Sequence, residues 1–246
     1  MRVSAVVVSH GSAADVAELV PLLEPQVDEL LVIANVPGSA PPGVAAIENP
    51  SSLGYAANLN VGLARTSGDA LLAVNPDTRP EPGAVGVLRD FMAARPRCGI
   101  AGPRLLFPDG RLQPSRRRFP TVTGTIVRRT PLRRLVRQRR HYHLDEPAPS
   151  EPVQSDWMLG GFLLLRRSML DELGGFDEGY RLYGEDIDLQ YRAMRAGWER
   201  WYVPAAVVTH EHQAVTDRRW LTRRTLWHWA GIVRFVRRHP ERLRAL

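Results

Sequence analysis

The first hundred residues alternate short apolar runs with amphipathic segments, and this order constrains the fold more than any other feature of the chain. Residues 3–9 and 70–75 are apolar runs typical of strands buried on both faces of a sheet. Shorter strand patterns cover 29–34 and 44–47, and helical spacing covers 12–23, 55–64 and 82–94. This alternation predicts an α/β fold: a Rossmann-like, mostly parallel sheet with helices on both faces.

After residue 99 the pattern becomes irregular. Residues 111–150 are rich in Arg and Pro, and they predict a mobile loop with one short helix at 132–139. Strands are predicted at 157–166, 200–203 and 206–209, and helices at 168–173, 185–195 and 217–238. We expect one large domain over 1–212 with halves 1–100 and 101–212, followed by a C-terminal helical extension over 213–246.

The charge of the chain is concentrated in two segments. All 33 basic residues are Arg; residues 111–140 hold eleven of them without an acid, and 217–246 hold nine with two acids. Such segments can dock anions, either phosphates or anionic lipid headgroups, although a solvated arginine-rich surface explains them equally well. The predicted C-terminal helix is basic and amphipathic. Its apolar face can lie on a membrane or pack on the domain. That face comprises Leu221, Trp229, Ile232, Val233 and Val236.

Cysteine use and hydropathy bear on the compartment. Cys98 is the single cysteine, so no internal disulfide can form, which fits a reducing cytoplasm. The early apolar run is too short for a signal peptide, and no stretch approaches 18 uninterrupted apolar residues. We therefore expect a cytoplasmic protein that can sit peripherally on the inner face of the cell membrane.

Two acidic positions carry the chemical argument. Asp77 follows the apolar run 70–75, and the carboxyl ends of strands are where open α/β sheets bind ligands. Glu185 and Asp186 stand together at the start of a predicted helix. A metal-binding carboxylate and a general base are what a sugar transfer needs. The competing interpretations are a strand-ending turn for Asp77 and simple helix capping for the acidic pair.

Two further positions are candidate ligand contacts. His210 ends the predicted strand 206–209 and could ligate a metal or contact a diphosphate. Gly54 precedes a predicted helix, whose N-terminal N–H groups can bind a phosphate or another polar ligand. Gly54 could equally be a simple turn residue.

Six motifs follow one another in a fixed order across residues 3–212. They are Val6-Val-Val-Ser-His10, Leu53-Gly-Tyr-Ala with Asn60-Val-Gly62, Asn75-Pro-Asp-Thr78, Gly160-Gly-Phe-Leu-Leu-Leu-Arg166, Gly174-Gly-Phe-Asp-Glu178 and Tyr183-Gly-Glu-Asp-Ile-Asp-Leu189. In this order they resemble the motifs of family 2 glycosyltransferases with the GT-A fold, and most of all those of bacterial rhamnosyltransferases. The resemblance implies a nucleotide-sugar donor, a divalent metal (Mg²⁺ or Mn²⁺) and inversion at the anomeric carbon.

The resemblance also implies roles for individual residues. Asp186 would be the base that deprotonates the acceptor hydroxyl, with Glu185 supporting the acceptor, and Asp77 would bind the metal together with His210. The donor or nucleotide would contact Ser9, His10, Asn35, Gly54, Asn60 and Asn75. The acceptor would contact Gly160, Gly161 and Asp188.

Two departures from the family pattern concern the donor. The family often has an aspartate where this chain has Asn75, and an acidic residue after the second strand where this chain reads Ile33-Ala-Asn-Val36. Asn at the first position recurs in rhamnosyltransferase-like members, which favours a dTDP-sugar over a UDP-sugar. The implied acceptor is a glycan or a lipid-linked sugar such as a polyprenyl-diphosphate, with peripheral contact to an anionic membrane.

Other functions remain open from the residues alone. The chain could be a catalytically silent GT-A domain that binds or scaffolds a partner, although Asp77 and Asp186 argue against that. A nucleotidyltransferase would use the same nucleotide, metal and sheet. A nucleic-acid-binding protein drawn to phosphates by Arg is disfavoured, because no recognised nucleic-acid module is present.

Overall fold

The computed structural model describes residues 1–120, 142–143, 146–211 and 223–243. The strands are β1 (Val3–Ser9), β2 (Glu29–Ala34), β3 (Ala46–Glu48), β4 (Ala70–Val74), β5 (Thr78–Pro80), β6 (Cys98–Leu106), β7 (Arg116–Arg117), β8 (Val153–Gln154), β9 (Trp157–Met158), β10 (Phe162–Arg166) and β11 (Glu199–His210). The helices are α1 (Ala13–Leu23), α2 (Tyr55–Arg65), α3 (Ala84–Ala93), α4 (Arg167–Leu173), α5 (Glu185–Arg195) and α6 (Arg223–Arg238). The predicted helix at 132–139 and the predicted face residue Leu221 lie outside the described residues.

One mixed sheet organises the molecule. Its strand order is β3-β2-β1-β4-β10-β6-β11-β5, and β8 pairs with β11. The first four strands of that order are mutually parallel, as are β6 and β11. β10 runs antiparallel between β4 and β6. β7 and β9 form a separate two-stranded sheet. The predicted α/β class with a mostly parallel sheet is confirmed.

The core lies on both faces of this sheet because side chains alternate along each strand. Val3, Ala5 and Val7 of β1 share one cluster with residues of α1 and α3. Val6 and Val8 share the other with residues of α2, α4 and α5. At Gly62 of α2 an added Cβ would lie 2.5 Å from the Val6 side chain, so only glycine lets this helix pack so closely on β1. Helices cover both faces of the sheet. A ligand can therefore bind at the edge of the sheet where β1 and β4 end.

Three local predictions differ from the structure. The strand expected over 157–166 is interrupted at Leu159–Gly161, which separates β9 from β10. The two strands expected over 200–203 and 206–209 are one strand, β11, with an irregular register between Val203 and Val207. The helix expected over 12–23 begins at Ala13, and Ser12 before it makes no side-chain capping bond, because its backbone is not extended.

The C-terminal helix α6 packs on the domain through one side. Phe235 is buried against Tyr191, with their ring centroids 5.6 Å apart. Arg234 donates two hydrogen bonds to Asp177, at 2.9 and 2.7 Å, and Arg238 donates a third at 2.7 Å. No described helix is long and apolar enough to cross a bilayer. Through Phe235, Arg234 and Arg238, α6 contacts α5 and the loop before α5.

Candidate active site

Gly160 and Gly161, in the turn between β9 and β10, bring two distant parts of the chain together. The Gly160 N–H donates to Asp186 Oδ2 at 3.2 Å, and a Cβ there would lie 3.1 Å from Asp186 Cβ. A Cβ on Gly161 would lie 3.2 Å from His210 Cε1 and 3.6 Å from Asn75 Nδ2. The acidic start of α5 and the turn after β4 therefore meet on consecutive glycines, and larger residues would push them apart.

Asp77 and His210 form the candidate metal position. Their side chains face each other with Asp77 Oδ1 3.4 Å from His210 Nε2, and the Glu211 N–H donates to the Asp77 carbonyl at 2.9 Å. His210 Nδ1 lies 2.9 Å from Gln113 Oε1, which accepts hydrogen bonds, so in the neutral ring Nδ1 carries the proton. The lone pair of Nε2 is then directed toward Asp77, as a metal-ligating histidine requires.

Asp77 and His210 fit a divalent cation only if the substrate supplies further ligands. A carboxylate suits Mg²⁺ and Mn²⁺, and an imidazole beside it favours the transition metal. Within the described ranges no group of three or more His, Cys, Asp or Glu side chains could hold a metal ion. Asp77 and His210 would thus supply two ligands, and a bound diphosphate would have to supply the others.

The Glu185–Asp186 pair has the electrostatics of an acid–base site. Glu185 is buried, and burial together with the charge of Asp186 raises its pKa to about 8. Its Oε2 atom is buried without a hydrogen-bond partner in the described structure. Burial also raises the pKa of Asp186, while the N–H groups of Ile187 and Gly160 and the charge of Arg117 oppose the rise. Ionising both buried carboxyls at once is therefore unfavourable, so the raised pKa values favour a proton that the pair shares.

Tyr55 joins the two acidic positions. Its hydroxyl donates to Asn75 Oδ1 at 2.9 Å. Burial raises its pKa far above the ordinary value, and the negative charges of Glu185, Asp186 and Asp77 add to that rise. The charges of all three carboxylates act on this tyrosine, so the two predicted acidic positions share one electrostatic environment.

The backbone before α5 is strained. Tyr183 has φ 69°, a left-handed conformation that is unfavourable for a bulky side chain, and Gly184 follows with φ 100°. α6 covers this turn: a Cβ on Gly231 would lie 2.7 Å from the Tyr183 carbonyl oxygen, and the His228 ring lies 5.6 Å from that of Tyr183. Packing by α6 therefore holds the turn that presents Glu185 and Asp186.

Three of the predicted donor contacts shape the end of β1. Ser9 is fully buried and its hydroxyl donates to the Ser39 carbonyl at 2.6 Å. Asn35 accepts from the Leu53 N–H at 2.8 Å, and its amide nitrogen lies 3.1 Å from His10 Nδ1. Of these three side chains only His10 is exposed. Ser9 and Asn35 therefore position loops, and His10 is the one side chain of the three that is open to solvent.

Two other predicted donor contacts, Asn60 and Gly54, make contacts within the chain. The Asn60 amide accepts from the Phe176 N–H and donates to the Phe176 carbonyl, each at 2.9 Å, so it fixes the loop after α4. At Gly54 a Cβ would lie 3.0 Å from the Arg181 carbonyl, and the Tyr55 N–H donates to that same carbonyl. This end of α2 is thus used for packing and does not offer its first N–H to a phosphate.

Asp188, predicted to bind the acceptor, is held by side chains of its own chain. It is fully buried and accepts from Arg192 Nε at 2.7 Å and from Tyr180 at 3.3 Å. Its Oδ1 also lies 2.9 Å from His239 Nε2. Burial alone would raise the pKa of Asp188, but His239 and Arg192 hold it below the ordinary value. Asp188 anchors the chain after α6 to α5.

Sequence reasoning missed Tyr55, Gln113 and Gln190. Gln190 exchanges two hydrogen bonds with the Met158 backbone, at 2.8 and 2.7 Å, and so fixes α5 beside β9. Tyr55 lies within a quoted motif, which was a usable signal for its place in the site. Gln113 follows an irregular turn, and nothing in its sequence context indicated a contact with His210.

Comparison with solved structures identifies the fold. The crystal structure of GalNAc-T7 with UDP, GalNAc and Mn²⁺ has a TM-score of 0.67 at 16% identity, over 96% of this chain and 48% of that one. The mannosyltransferase PcManGT from Pyrobaculum calidifontis, in complex with GDP-Man and Mn²⁺, has a TM-score of 0.55 at 14% identity, over 98% and 72%. These likenesses show the GT-A fold.

The chain belongs to the family described as glycosyltransferase like family 2, whose model matches residues 4–231. A relative from Mycobacterium tuberculosis, N-acetylglucosaminyl-diphospho-decaprenol L-rhamnosyltransferase, is 36% identical over 197 residues. That match covers 72% of this chain and 62% of the relative. The chain therefore corresponds to less than two thirds of the length of that protein, and the family resemblance seen in the motifs is confirmed.

Proposed function

We propose that this chain is an inverting, metal-dependent glycosyltransferase that moves rhamnose from dTDP-rhamnose to a sugar carried on a polyprenyl diphosphate, in cell-surface polysaccharide synthesis. The name of the mycobacterial relative, an L-rhamnosyltransferase with a diphospho-decaprenol acceptor, supports this donor and acceptor. The observation that carries the proposal is the meeting of Asp186 with Asn75 and His210 on Gly160 and Gly161.

Asp186 is the proposed base. Its Oδ2 accepts from the Gly160 N–H and its Oδ1 from the Ile187 N–H at 2.9 Å, so the carboxylate is oriented before a substrate arrives. In a single displacement it takes the proton of the acceptor hydroxyl as that oxygen attacks the anomeric carbon. Glu185, protonated beside it, can donate a hydrogen bond to the acceptor through its otherwise unpartnered Oε2.

Asp77 and His210 are the proposed protein ligands for Mn²⁺ or Mg²⁺. When bound, the cation would offset negative charge on the departing diphosphate. Gln113 keeps the His210 ring in the tautomer that presents Nε2 to this position. Asn75, held by the Tyr55 hydroxyl, forms the adjoining wall on the donor side.

The outer side of α6 is the proposed membrane contact. Leu226 and Val233, seven residues apart and so on one helix face, are 67% and 46% exposed. Arg237 is exposed one turn beyond Val233. An apolar face beside arginines is complementary to an anionic bilayer, where a polyprenyl-linked acceptor resides. On this proposal the chain works at the cytoplasmic surface of the cell membrane.

Two substitutions test the assignment of roles. Asp186→Asn is expected to lower transfer by at least about 10²-fold, the smaller end of what a positioned base contributes, while the melting temperature is unchanged. Asp77→Ala is expected to lower the stabilisation that dTDP gives in the presence of Mn²⁺. Screening dTDP-, UDP- and GDP-sugars by melting temperature, followed by product analysis, separates this reaction from nucleotidyl transfer. Wild-type turnover by Asp186→Asn would refute the base assignment.

A further inference from the structure

A cavity adjoins the candidate active site. Its volume is about 160 Å³, and it lies between the segment after β6, the segment before β8 and the middle of β11. Water occupies about 30 Å³ per molecule, so this is room for about five waters or for one six-membered ring with its substituents. Tyr142 and Tyr202 supply aromatic walls.

Two polar atoms of the cavity lining lack partners. Ser115 is 3% exposed, and neither its Oγ nor the buried His143 Nε2 has a hydrogen-bond partner in the described structure. His143 Nδ1 lies 2.9 Å from Glu146, so it donates to that carboxylate and the neutral ring keeps a lone pair on Nε2. Buried polar groups without partners carry a cost that a ligand can remove. A ligand hydroxyl could donate to His143 and accept from Ser115.

The cavity favours a neutral ligand over an anion. Glu146 is the one acidic side chain among the described residues that line it. Hydrogen bonds from Arg116, at 2.8 Å, and from His143 hold its pKa at about 2, so its charge stays paired. Because Arg116 is committed to this carboxylate, a phosphate would have to compete with it.

The lining also connects to both halves of the active site. Gln113 lines the cavity and contacts His210. Tyr142 lies under the Arg117 guanidinium, with its ring centroid 5.0 Å from Cζ, and the charge of Arg117 opposes the rise that burial causes in the pKa of Asp186. We propose that this cavity binds a neutral, hydroxylated sugar ring of the acceptor, with Ser115 and His143 as its polar contacts. This inference rests on the proposed function and adds a specificity-determining subsite to it.

Two small substitutions test the subsite in the full chain. Ser115→Ala removes the hydroxyl. His143→Asn removes Nε2, keeps a donor for Glu146 and suits the left-handed φ of 52° at that position. With dTDP-rhamnose as donor and a short-chain N-acetylglucosaminyl-diphospho-prenol as acceptor, each is expected to raise the acceptor KM about 3- to 10-fold, the worth of one hydrogen bond. The donor KM should not change. Ser150→Ala, exposed in the same segment, is the matched control.

A direct binding measurement separates the proposed acceptor subsite from the proposed transferase function. In saturation-transfer NMR with N-acetylglucosamine, the signal should be lost in Ala148→Phe, which adds a phenyl ring to the cavity lining, and kept in Ser150→Ala. If wild type transfers rhamnose but both small variants keep its acceptor KM, the subsite is wrong and the transferase stands. If wild type transfers nothing, the proposed function fails, and an unchanged NMR signal in Ala148→Phe overturns the subsite as well.

Discussion

Replacing Asp188 by Asn distinguishes a structural carboxylate from an acceptor ligand. The substitution removes the charge that pairs with Arg192 at 2.7 Å and with His239 at 2.9 Å, at a side chain with no exposure. Breaking a buried pair by changing one partner costs about 3–5 kcal/mol. In a chain of this size each kcal/mol lowers the melting temperature by about 2–4 °C, so we expect a drop of about 6–20 °C.

The matched control is Asp177→Asn, and the assay is thermal unfolding with acceptor KM measured in parallel. Asp177 also pairs with two arginines, but Arg234 and Arg238 are 38% and 45% exposed, so a loss of about 1 kcal/mol or less is expected. The lowered pKa of Asp188 gives a further check: its contribution is complete above the ordinary carboxyl pKa of 3.8 and is lost as the pH falls through the lower folded value. A wild-type melting temperature with a raised acceptor KM would refute the structural role.

The remaining predictions concern the acid pair and the membrane face. Transfer by wild type should decline above about pH 8, where Glu185 loses its proton beside Asp186, and Glu185→Gln should abolish this decline. A pH profile of kcat checks it, and an unchanged alkaline limb in the variant would contradict the protonated role of Glu185. Leu226→Glu with Val233→Glu should reduce flotation with anionic vesicles and leave the melting temperature unchanged, because both side chains are exposed. Equal flotation of variant and wild type would remove α6 as the membrane contact.

Periodicity predicted the first half of the fold well because its central strands β1 and β4 are fully buried. The run at β1 matches the prediction residue for residue, and those at β2 and β4 match within one residue. Patterning failed where backbone geometry decides the outcome. The glycines at 160 and 161 interrupt a continuous apolar run, and the irregular register in β11 leaves no gap in its hydrophobic pattern.

The candidate site could be predicted from the sequence as a set of titratable residues, but the contacts among its residues could not. Asp77, Asp186 and His210 carry chemistry that is recognisable from their positions at strand ends and a helix start. Asp188 is also an aspartate, two positions from the proposed base Asp186. Only the fold shows that Arg192 and His239 enclose it. Contacts across long stretches of chain, such as Gln113 with His210, have no local pattern from which they could be inferred.

The most direct test of the central claim is anomalous diffraction at the manganese edge from crystals grown with Mn²⁺ and dTDP. We predict one strong peak within bonding distance of Asp77 and His210, with the nucleotide diphosphate completing its ligands and Asp186 facing the same space. A bound nucleotide whose metal lies away from Asp77, or whose diphosphate opens onto a space that Asp186 does not reach, would contradict a single site for donor and base.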